Sequence, residues 1–470
     1  MEVERRGITS DKVFKGRSIL RLEKNLQIKQ KSEMTDDERV RDFQRKLYQK
    51  AKQEKDFRFY VLYDKVRQMY FLREAYRRVK QNGGSAGIDG ITFDEIESKG
   101  LSEYLSSIQK ELENFEYRPM SVKRVMIPKA NGGERPLGIP IIKDRIIQMS
   151  CKMVIEPIFE ADFENNSFGF RPKRSAADAI KKIKEYINSG DTEILDADLS
   201  KCFDTIPHDK LMILLGKRIS DKNVLHLIKM WLKAPVEENN KISGGKSNKI
   251  GTPQGSVISP LLANVYLHIL DKIVCSVKSV FYKNGIKIVR YADDFILIGK
   301  KMSDEIIQKL MEILNRLELK LNVEKTKRLN IKEDSFNFLG FKFQQFKDLF
   351  GKDKKYLNIS PSEKSLNSIK EKIREYLSEN GHKSPIKIVK DMNAKIRGWI
   401  NYFSIEKVSY PAVSKRKLRF YLSAKLYRFY KRKSQRKSKL CNQGAFQYLV
   451  DNYGLIDPTK YFCGRTTVKV

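Results

Sequence analysis

The feature that most restricts the fold of this chain is a short apolar segment, residues 286–298, interrupted by two adjacent aspartates. β-Branched and aromatic residues stand on both sides of Ala292-Asp293-Asp294, a composition that favours strands. We therefore predict a tight β-hairpin with both carboxylates at its bend. A polar hairpin turn without any further role is the alternative.

A second acidic position follows another strand-like run. Asp198 ends the apolar segment that contains Ile194 and Leu195. Carboxylates at strand ends beside an apolar core favour binding of hard cations. Two neighbouring strands with such ligands suit a pair of Mg²⁺ ions in two-metal phosphoryl transfer. The residues alone also allow Asp198 to cap the helix that follows.

Strand-like and helix-like segments alternate through the first two thirds of the chain. We predict strands at residues 122–127 and 193–198, and helices at residues 145–159, 208–218 and 224–232. A further helix is predicted from Phe57 to Lys80, ending at the turn signal Asn82-Gly83-Gly84. Residues 1–55 are highly charged and suit an exposed helical extension. The fold class is therefore α+β.

Charge and cysteine usage narrow the partners and the compartment. The 93 Lys plus Arg against 58 Asp plus Glu give a net charge of +35, which indicates a polyanionic partner. The charged first residues lead into no apolar segment, so we expect no secretory signal and a cytoplasmic location. Residues 250–270 lack charge but contain prolines and amides, which favours a protein core and no membrane contact. The five cysteines and four histidines are scattered, which indicates neither a disulfide framework nor a zinc site.

The C-terminal region is basic. Residues 411–440 contain twelve Lys or Arg and no acid, and aromatic residues are interleaved with them. We predict a helix with a core face and a phosphate-binding face, although a charged helix that only supports its neighbours is the alternative. The candidate nucleic-acid-binding residues are Lys415, Arg416, Lys417, Arg419, Lys431, Arg432, Lys433, Arg436 and Lys437.

A series of motifs in fixed order resembles the reverse transcriptases encoded in bacterial group II introns. Tyr291-Ala292-Asp293-Asp294 is similar to their Tyr-x-Asp-Asp box, and residues 196–204 are similar to their first catalytic box. The others are Ile127-Pro128-Lys129, Arg135-Pro136-Leu137-Gly138-Ile139-Pro140, Phe168-Gly169-Phe170-Arg171-Pro172, Gly251-Thr252-Pro253-Gln254-Gly255 and Phe338-Leu339-Gly340. Flanking segments extend the resemblance to about three quarters of the chain.

The resemblance implies a right-hand polymerase with fingers, a palm built on an antiparallel sheet, a helical thumb and a basic C-terminal helical module. We expect an N-terminal extension at residues 1–56, fingers at 57–195 and the palm at 196–350. The thumb or maturase region then spans 351–410, and the basic module spans 411–470. Because the paired cysteines of the family's endonuclease are absent, we expect no second-strand DNA cleavage.

The resemblance also implies a metal site. Asp198 and Asp293 would ligate two Mg²⁺ ions, for which Mn²⁺ is a possible substitute. Asp294 would assist them, the Leu199 carbonyl would complete one shell, and Asp196 would not be a ligand. Lys325 matches a lysine that protonates the departing pyrophosphate, with Lys327 as a close competitor.

Further matches concern the nucleotide and the primer. Lys129 and Arg135 would grip the incoming triphosphate, unless they are only surface charges on a loop. Phe203 would form a wall that excludes a 2′-hydroxyl, with Gln254 in the same pocket. The primer grip would include Leu339 and Gly340, where glycine allows backbone to approach the primer, although packing alone also explains the neighbouring aromatics.

The resemblance implies an RNA-dependent DNA polymerase that extends a DNA primer on an RNA template with dNTPs. It would also bind its group II intron RNA, assist splicing and take part in retrohoming of this mobile element into a DNA target. One alternative is a free-standing relative in phage defence or DNA repair. Another is an RNA-binding splicing factor without polymerase activity, against which the intact site residues argue. The sequence does not indicate an oligomeric state.

Overall fold

A computed structural model describes residues 34–128, 133–239, 241–322, 324–347, 355–433, 440 and 444–462. In these ranges the helices are α1 Asp36–Gln53, α2 Tyr63–Val66, α3 Met69–Asn82, α4 Phe93–Lys99, α5 Leu101–Glu113, α6 Ile142–Glu160, α7 Ala176–Asn188, α8 Cys202–Thr205, α9 His208–Gly216, α10 Lys222–Leu232, α11 Ser259–Cys275, α12 Val280–Lys283, α13 Asp304–Arg316, α14 Glu363–Glu379, α15 Pro385–Phe403, α16 Ala412–Lys433 and α17 Ala445–Tyr453. The strands are β1 Val122–Pro128, β2 Glu134–Ile139, β3 Glu193–Ala197, β4 Pro235–Glu238, β5 Lys241–Gly244, β6 Lys287–Tyr291, β7 Asp294–Gly299, β8 Lys327–Asn330, β9 Ser335–Phe338, β10 Phe341–Lys347 and β11 Lys355–Pro361.

The chain divides into two compact units. Among the described residues, the first contains residues 34–128, 134–163 and 203–266, and the second contains residues 164–202 and those from 267 to 462. Both mix helices with sheets whose strands are mainly antiparallel, which confirms the predicted α+β class at this level. Among the described residues, none of the helices combines the length and the apolarity that a membrane span needs.

The core of the first unit is built around helix α6. Most of its positions are buried, including Ile146, Ile147 and Val154, and α1 and α3 pack against it. Because most positions of this helix are buried, it lies in the interior of the unit and not on its surface. Its buried Asp144 accepts hydrogen bonds from the Tyr117 hydroxyl (2.7 Å) and the Met120 amide (3.1 Å). The unit's sheet has the order β2-β1-β4-β5.

The described part of the predicted N-terminal extension forms helix α1, which is docked against the unit and not exposed as predicted, while residues 1–33 lie outside the described residues. Its start is fixed by a capping box between Thr35 and Glu38. Val40 and Ala51 are fully buried, and the Gln44 amide donates to the Met153 carbonyl on α6 (2.8 Å). The charged surface therefore covers only one side of this helix.

One helix prediction was wrong in its start. The apolar periodicity of residues 57–80 predicted one helix, whereas α3 begins at Met69 after the short helix α2. The Phe59 amide donates instead to the Arg218 carbonyl (2.8 Å), and Asp221 accepts from the amides of Leu62 and Tyr63 (2.8 Å each). These distant contacts fix the backbone outside a helix. The predicted end is confirmed, because Gly83 follows the last residue with φ 66°.

The second unit is built on the antiparallel sheet β6-β7-β3-β8. The predicted hairpin at residues 286–298 is confirmed as β6 and β7, whose pairing closes at Tyr291 and Asp294. A second antiparallel sheet, β11-β10-β9, continues into helices α14 to α17. One cluster of buried apolar side chains extends from Ile194 in β3 through Phe343 and Ile400 to Leu449 in α17. The hairpin and the basic helix thus rest on the same core.

Candidate active site and nucleic-acid interface

The hairpin β6–β7 places one aspartate in its turn and one at the start of a strand. Asp293 follows Ala292 in the two-residue turn, and Asp294 begins β7 opposite Tyr291. Ala292 has φ 59°, in the left-handed region that residues with a Cβ adopt only at some cost. The sharp turn therefore depends on contacts that hold this residue.

Strand β3 brings the third aspartate to the same edge of the sheet. Its pairing with β7 ends at Ala197 and Phe295, so Asp198 comes next to the start of β7. The Asp198 carbonyl accepts a hydrogen bond from the Asn322 amide (2.8 Å), and Leu199 forms a bridge with Leu321. The structure therefore brings Asp198, Asp293 and Asp294 together, as the sequence predicted.

The clustered carboxylates disfavour one another's charge. The pKa of Asp294 is raised to about 6, first by loss of hydration and then by the negative charges of Asp293 and Asp198. The pKa of Asp196 is also raised to about 6, by burial and by Asp198. Such crowding of negative charge favours a cation at this edge.

Lys325 supplies one positive charge to the cluster. Its ammonium donates to Asp198 Oδ2 at 2.9 Å, and this hydrogen bond raises the pKa of Lys325. The competitor Lys327 lies in β8, where it pairs in register with Asp196. The structure thus places Lys325, rather than Lys327, on a predicted metal ligand. Its catalytic role stays a prediction.

The donor set fits a divalent metal of the magnesium class. Among the described residues, no three His, Cys, Asp or Glu side chains form a complete metal-binding group. The carboxylates of Asp198 and Asp293 would need other oxygens, such as the Leu199 carbonyl. The bridge between Leu199 and Leu321 is made by two hydrogen bonds, from the Asn322 amide to the Asp198 carbonyl and from the Ser200 amide to the Lys320 carbonyl. The Leu199 carbonyl takes no part in these two bonds. Hard oxygen donors with open positions suit Mg²⁺, which retains water and binds substrate phosphates.

In the first unit, two predicted nucleotide-binding residues form a hydrogen-bonded row. Arg135 Nε donates to Gln254 Oε1 at 2.8 Å, and Gln254 Nε2 donates to Asp204 Oδ1 at 3.0 Å. Asp204 had no predicted role, although its position inside the first catalytic box was a signal. The row fixes the orientation of the Gln254 amide and leaves Arg135 exposed. Lys129 lies outside the described residues.

Phe203 lies beside the same loop. Its carbonyl accepts a hydrogen bond from the Thr252 amide (2.6 Å), and its side chain is half-buried. The segment that contains Gln254 is therefore attached to the backbone of Phe203. The sugar-excluding role of Phe203 stays a prediction.

The predicted primer grip is a tight turn between β9 and β10. Leu339 and Gly340 have φ of 50° and 79°, and the Gly340 carbonyl accepts from the Ser362 amide (2.9 Å). A Cβ at Gly340 would meet Ser365 Oγ at 2.8 Å, and the Tyr402 hydroxyl donates to the Leu339 carbonyl (3.1 Å). Packing of this turn against α14 and α15 therefore already requires a glycine. Contact with a primer stays a prediction.

Helix α16 separates an apolar face from a basic face. Leu418, Leu422 and Leu426 are fully buried at intervals of four residues, which confirms the predicted core face. Arg416, Lys417 and Arg428 line an open cavity of about 650 Å³ together with Lys370 from α14. Phe420 projects beside them with 79% of its surface exposed.

Two of the predicted nucleic-acid-binding cations on α16 contact other groups of the protein itself. Arg419 pairs with the buried Asp457 at 2.9 Å, and the Lys415 ammonium donates to the Tyr461 carbonyl at 3.3 Å. Lys431 lies over the Tyr427 ring, and Arg432 is exposed. Arg436, Lys437 and the side chain of Lys433 lie outside the described residues.

The sequence analysis assigned no role to three residues in or beside the hairpin, although it quoted Gly169 within a motif. Arg290 is fully buried in β6 and pairs with Asp271 of α11, and Gly169 packs against Ala292. A lone arginine in the apolar run before the Tyr-x-Asp-Asp box was the available signal, because a buried charge requires a partner.

Comparisons with known proteins agree with these motifs. A family profile described as "Reverse transcriptase (RNA-dependent DNA polymerase)" matches residues 127–343, and one described as "Group II intron, maturase-specific domain" matches residues 366–445. Protein YkfC of Escherichia coli (strain K12) is 33% identical over 70% of this chain and 94% of its own length. The group II intron-encoded protein LtrA of Lactococcus lactis subsp. cremoris is 30% identical over 70% of this chain and 68% of its own. An uncharacterized 91 kDa protein in a cob intron of Schizosaccharomyces pombe is 30% identical over 70% and 49%.

Proposed function

This chain belongs to the group II intron-encoded reverse transcriptases, which are right-hand polymerases, and we propose that it polymerises DNA at the Asp198, Asp293 and Asp294 cluster. The observation that carries the proposal is the convergence of these carboxylates at one edge of an antiparallel sheet. Within the family's architecture we assign the fingers to residues 57–195, the palm to residues 196–350 and the thumb to residues 351–410.

Asp198 and Asp293 would hold two Mg²⁺ ions, assisted by Asp294 and the Leu199 carbonyl. When bound, the metals would lower the pKa of the primer hydroxyl and stabilise charge on the triphosphate. The protein contributes fixed strand ends that keep the carboxylates in place. Because Lys325 donates to Asp198 Oδ2, a bound cation would compete with this ammonium for the same oxygen.

Lys325 is placed to donate a proton near the metal ligands. Its side chain is 65% exposed, so the ammonium is free to turn from Asp198 toward a substrate phosphate. A positioned acid of this kind contributes about 10² to 10⁴ in rate. We propose that Lys325 protonates the departing pyrophosphate.

The row of Arg135, Gln254 and Asp204 would orient the incoming dNTP. Arg135 carries a guanidinium fork suited to phosphate oxygens, and its Nε bond to Gln254 fixes the direction of that fork. Phe203 would lie beneath the sugar and exclude a 2′-hydroxyl by steric contact. The substrate class is therefore deoxynucleoside triphosphate.

A primer-extension assay tests the reaction and the sugar selectivity together. The wild-type chain should extend a DNA primer on an RNA template with dCTP and discriminate strongly against CTP. Phe203→Val should raise CTP incorporation at least tenfold while leaving dCTP use within about threefold, since only the steric contact is removed. The Phe420→Ala variant, altered far along the chain on α16, is the control and should keep wild-type selectivity.

Two results would count against this proposal. Equal use of dCTP and CTP by the wild type would exclude a DNA polymerase. Unchanged selectivity in Phe203→Val would show that another residue excludes the ribose hydroxyl.

We further propose that the outer face of α16 binds RNA, including the intron RNA. Arg416, Lys417 and Arg428 surround the exposed Phe420 ring, with Lys370 across the cavity. Cations beside an exposed aromatic ring suit phosphates together with an unpaired base that stacks on the ring. Splicing of the intron and its return to DNA would use this surface, whereas the carboxylate cluster performs the polymerisation.

A further inference from the structure

The arginine that precedes the Tyr-x-Asp-Asp box lies entirely inside the second unit. Arg290 is 0% exposed, between apolar neighbours such as Val289 and Tyr291 in β6. Withdrawing a guanidinium from water is unfavourable unless its hydrogen bonds are satisfied by the protein. The contacts of Arg290 therefore indicate what this charge does.

One side of the guanidinium is held by an equally buried carboxylate. Arg290 Nε donates to Asp271 Oδ1 at 2.8 Å, and Nη2 donates to Asp271 Oδ2 at 2.5 Å. Asp271 belongs to α11 and is 1% exposed. This two-point contact fixes the plane of the guanidinium.

The other side of the guanidinium reaches the turn of the catalytic hairpin. Arg290 Nη1 donates to the Ala292 carbonyl at 2.8 Å. This carbonyl belongs to the left-handed residue, φ 59°, whose next neighbour is Asp293. The hydrogen bond therefore favours the one backbone conformation that directs the chain from Tyr291 into the two aspartates.

The backbone of Arg290 is also fixed. Its amide donates to the Asn166 carbonyl and its carbonyl accepts from the Phe168 amide, both at 2.9 Å. A Cβ on the adjacent Gly169 would collide with the Ala292 amide, so the segment lies directly on the turn. Side chain and backbone together leave the turn little freedom.

We propose that Arg290 and Asp271 are positioning residues for polymerisation, which hold the turn so that Asp293 and Asp294 stay in register with Asp198. The proposal rests on the function proposed above for these aspartates. It assigns the ion pair a role that acts through the metal ligands, without contact to substrate. A pair that serves stability alone would give a different outcome in the experiment below.

The first variant is Arg290→Lys. A lysine ammonium can still pair with Asp271, but it lacks the planar fork that contacts Asp271 and the Ala292 carbonyl together. The second is the swap Arg290→Met with Asp271→Leu, which replaces the buried pair by apolar side chains of similar size. Such swaps often preserve or increase stability, but this one removes the bond to Ala292.

The matched control is Arg218→Lys. Arg218 is also buried, pairs with Asp162 at 3.0 Å and donates to the carbonyls of Ala51 (2.8 Å) and Glu54 (3.0 Å), all within the first unit. It should lower the melting temperature while keeping the single-turnover rate of nucleotide addition at temperatures where the chain is folded.

Three measurements are made on each full-length variant: thermal unfolding, amide hydrogen exchange of residues 291–295, and the single-turnover rate. Both hairpin variants should exchange these amides faster and add nucleotides about 10- to 100-fold more slowly than wild type, with the dNTP affinity nearly unchanged. In the swap variant, the faster exchange and the slower rate should appear although the melting temperature stays at the wild-type value.

A swap variant with both wild-type stability and wild-type rate would overturn the proposal, as would Arg290→Lys with unchanged exchange and rate. If Arg290→Lys does not fold, the swap alone decides. An Asp293→Ala variant, measured in parallel, tests the proposed active site separately from the proposed role of Arg290 and Asp271. If it polymerises normally, the proposed active site fails, irrespective of the behaviour of Arg290.

Discussion

The hairpin β6–β7 and helix α16 both carry charge on the apolar core of the second unit, but they hold it in opposite ways. At the hairpin, carboxylates of Asp198, Asp293 and Asp294 converge, and loss of hydration together with their mutual repulsion raises the pKa of Asp294. On α16, Arg416, Lys417 and Arg428 project outward around an open cavity. The hairpin holds its carboxylates in fixed positions, whereas α16 presents a high density of positive charge.

The difference follows from what each task requires. Chemistry needs ligands held to a fraction of an ångström, so buried groups such as Arg290 surround the hairpin turn. Binding of a polyanion tolerates mobile cations, because long-range attraction depends on their number more than on their placement. Substitutions in the two regions should therefore affect different measurements.

The largest effect is expected from Asp293→Ala. Removing a shared metal ligand should lower primer extension on poly(rA)/oligo(dT) by about three orders of magnitude or more, because metal stabilisation supplies several kcal/mol. Folding and RNA affinity should stay near wild type. The control is Asp304→Ala, which removes a carboxylate whose side chain is 95% exposed. Near-normal extension by Asp293→Ala would exclude this cluster as the active site.

A smaller loss is expected from Lys325→Met. Without the ammonium at Asp198, the single-turnover rate should fall about 100-fold, as expected for loss of a general acid. Lys327→Met is the matched control, since Lys327 lies opposite Asp196 in the register of β3 and β8, and it should lose less than about fivefold. If the two variants lose activity equally, the assignment of the proton donor to Lys325 is wrong.

Helix α16 should show the reverse pattern. Changing Arg416, Lys417 and Arg428 to Ala should leave short-template extension within about twofold. The slope of log affinity for structured RNA against log salt should flatten by about two to three units, since about one phosphate contact is lost per cation. Filter binding between about 0.05 and 0.5 M salt measures the slope. An unaltered slope would show that this surface does not bind RNA.

A control for the same experiment is Arg419→Ala. Because Arg419 pairs with the buried Asp457, its loss should lower the melting temperature more than it changes the salt slope. A slope change as large as that of the triple variant would instead place Arg419 on the RNA-binding face.

The smallest effect concerns pH. The pKa of Asp294 is about 6 in the folded chain against an ordinary value of 3.8. Between these values Asp294 binds more protons in the folded chain than in the unfolded chain, so the contribution of this carboxyl to stability should rise as the pH falls from about 7 toward 4. Asp294→Asn should reduce that rise, as followed by urea unfolding in EDTA. Parallel profiles of variant and wild type would contradict the raised pKa of Asp294.

The local sequence pattern was sufficient to predict much of the fold and to single out the aspartates of the site. β-Branched and aromatic residues flanking Asp293 and Asp294 predicted the hairpin, and aromatic residues interleaved with cations in residues 411–440 predicted a helix with a core face. The resemblance then supplied the partnership with Asp198, which the pairing of β3 with β7 brings about. These predictions succeeded because they depend on short sequence patterns or on motifs that resemble those of the family.

Long-range contacts could not be predicted in this way. Nothing local distinguishes Lys325 from Lys327, and only the register of β8 against β3 separates them. The helix expected from Phe57 gave way because distant residues at 218–221 bind its backbone. Arg290 and Asp271 are 19 positions apart, and their pairing depends on how α11 packs beside β6.

Gly169 has a consequence for laboratory evolution of this enzyme. A single methyl group there would displace the turn that carries Asp293, so every functional descendant in a randomised library should retain glycine at this position. The outward face of α16 has no such restriction, since Phe420 and its neighbouring cations project into open solvent. Libraries that seek new RNA preferences would therefore be richest in active clones when diversity is confined to that face.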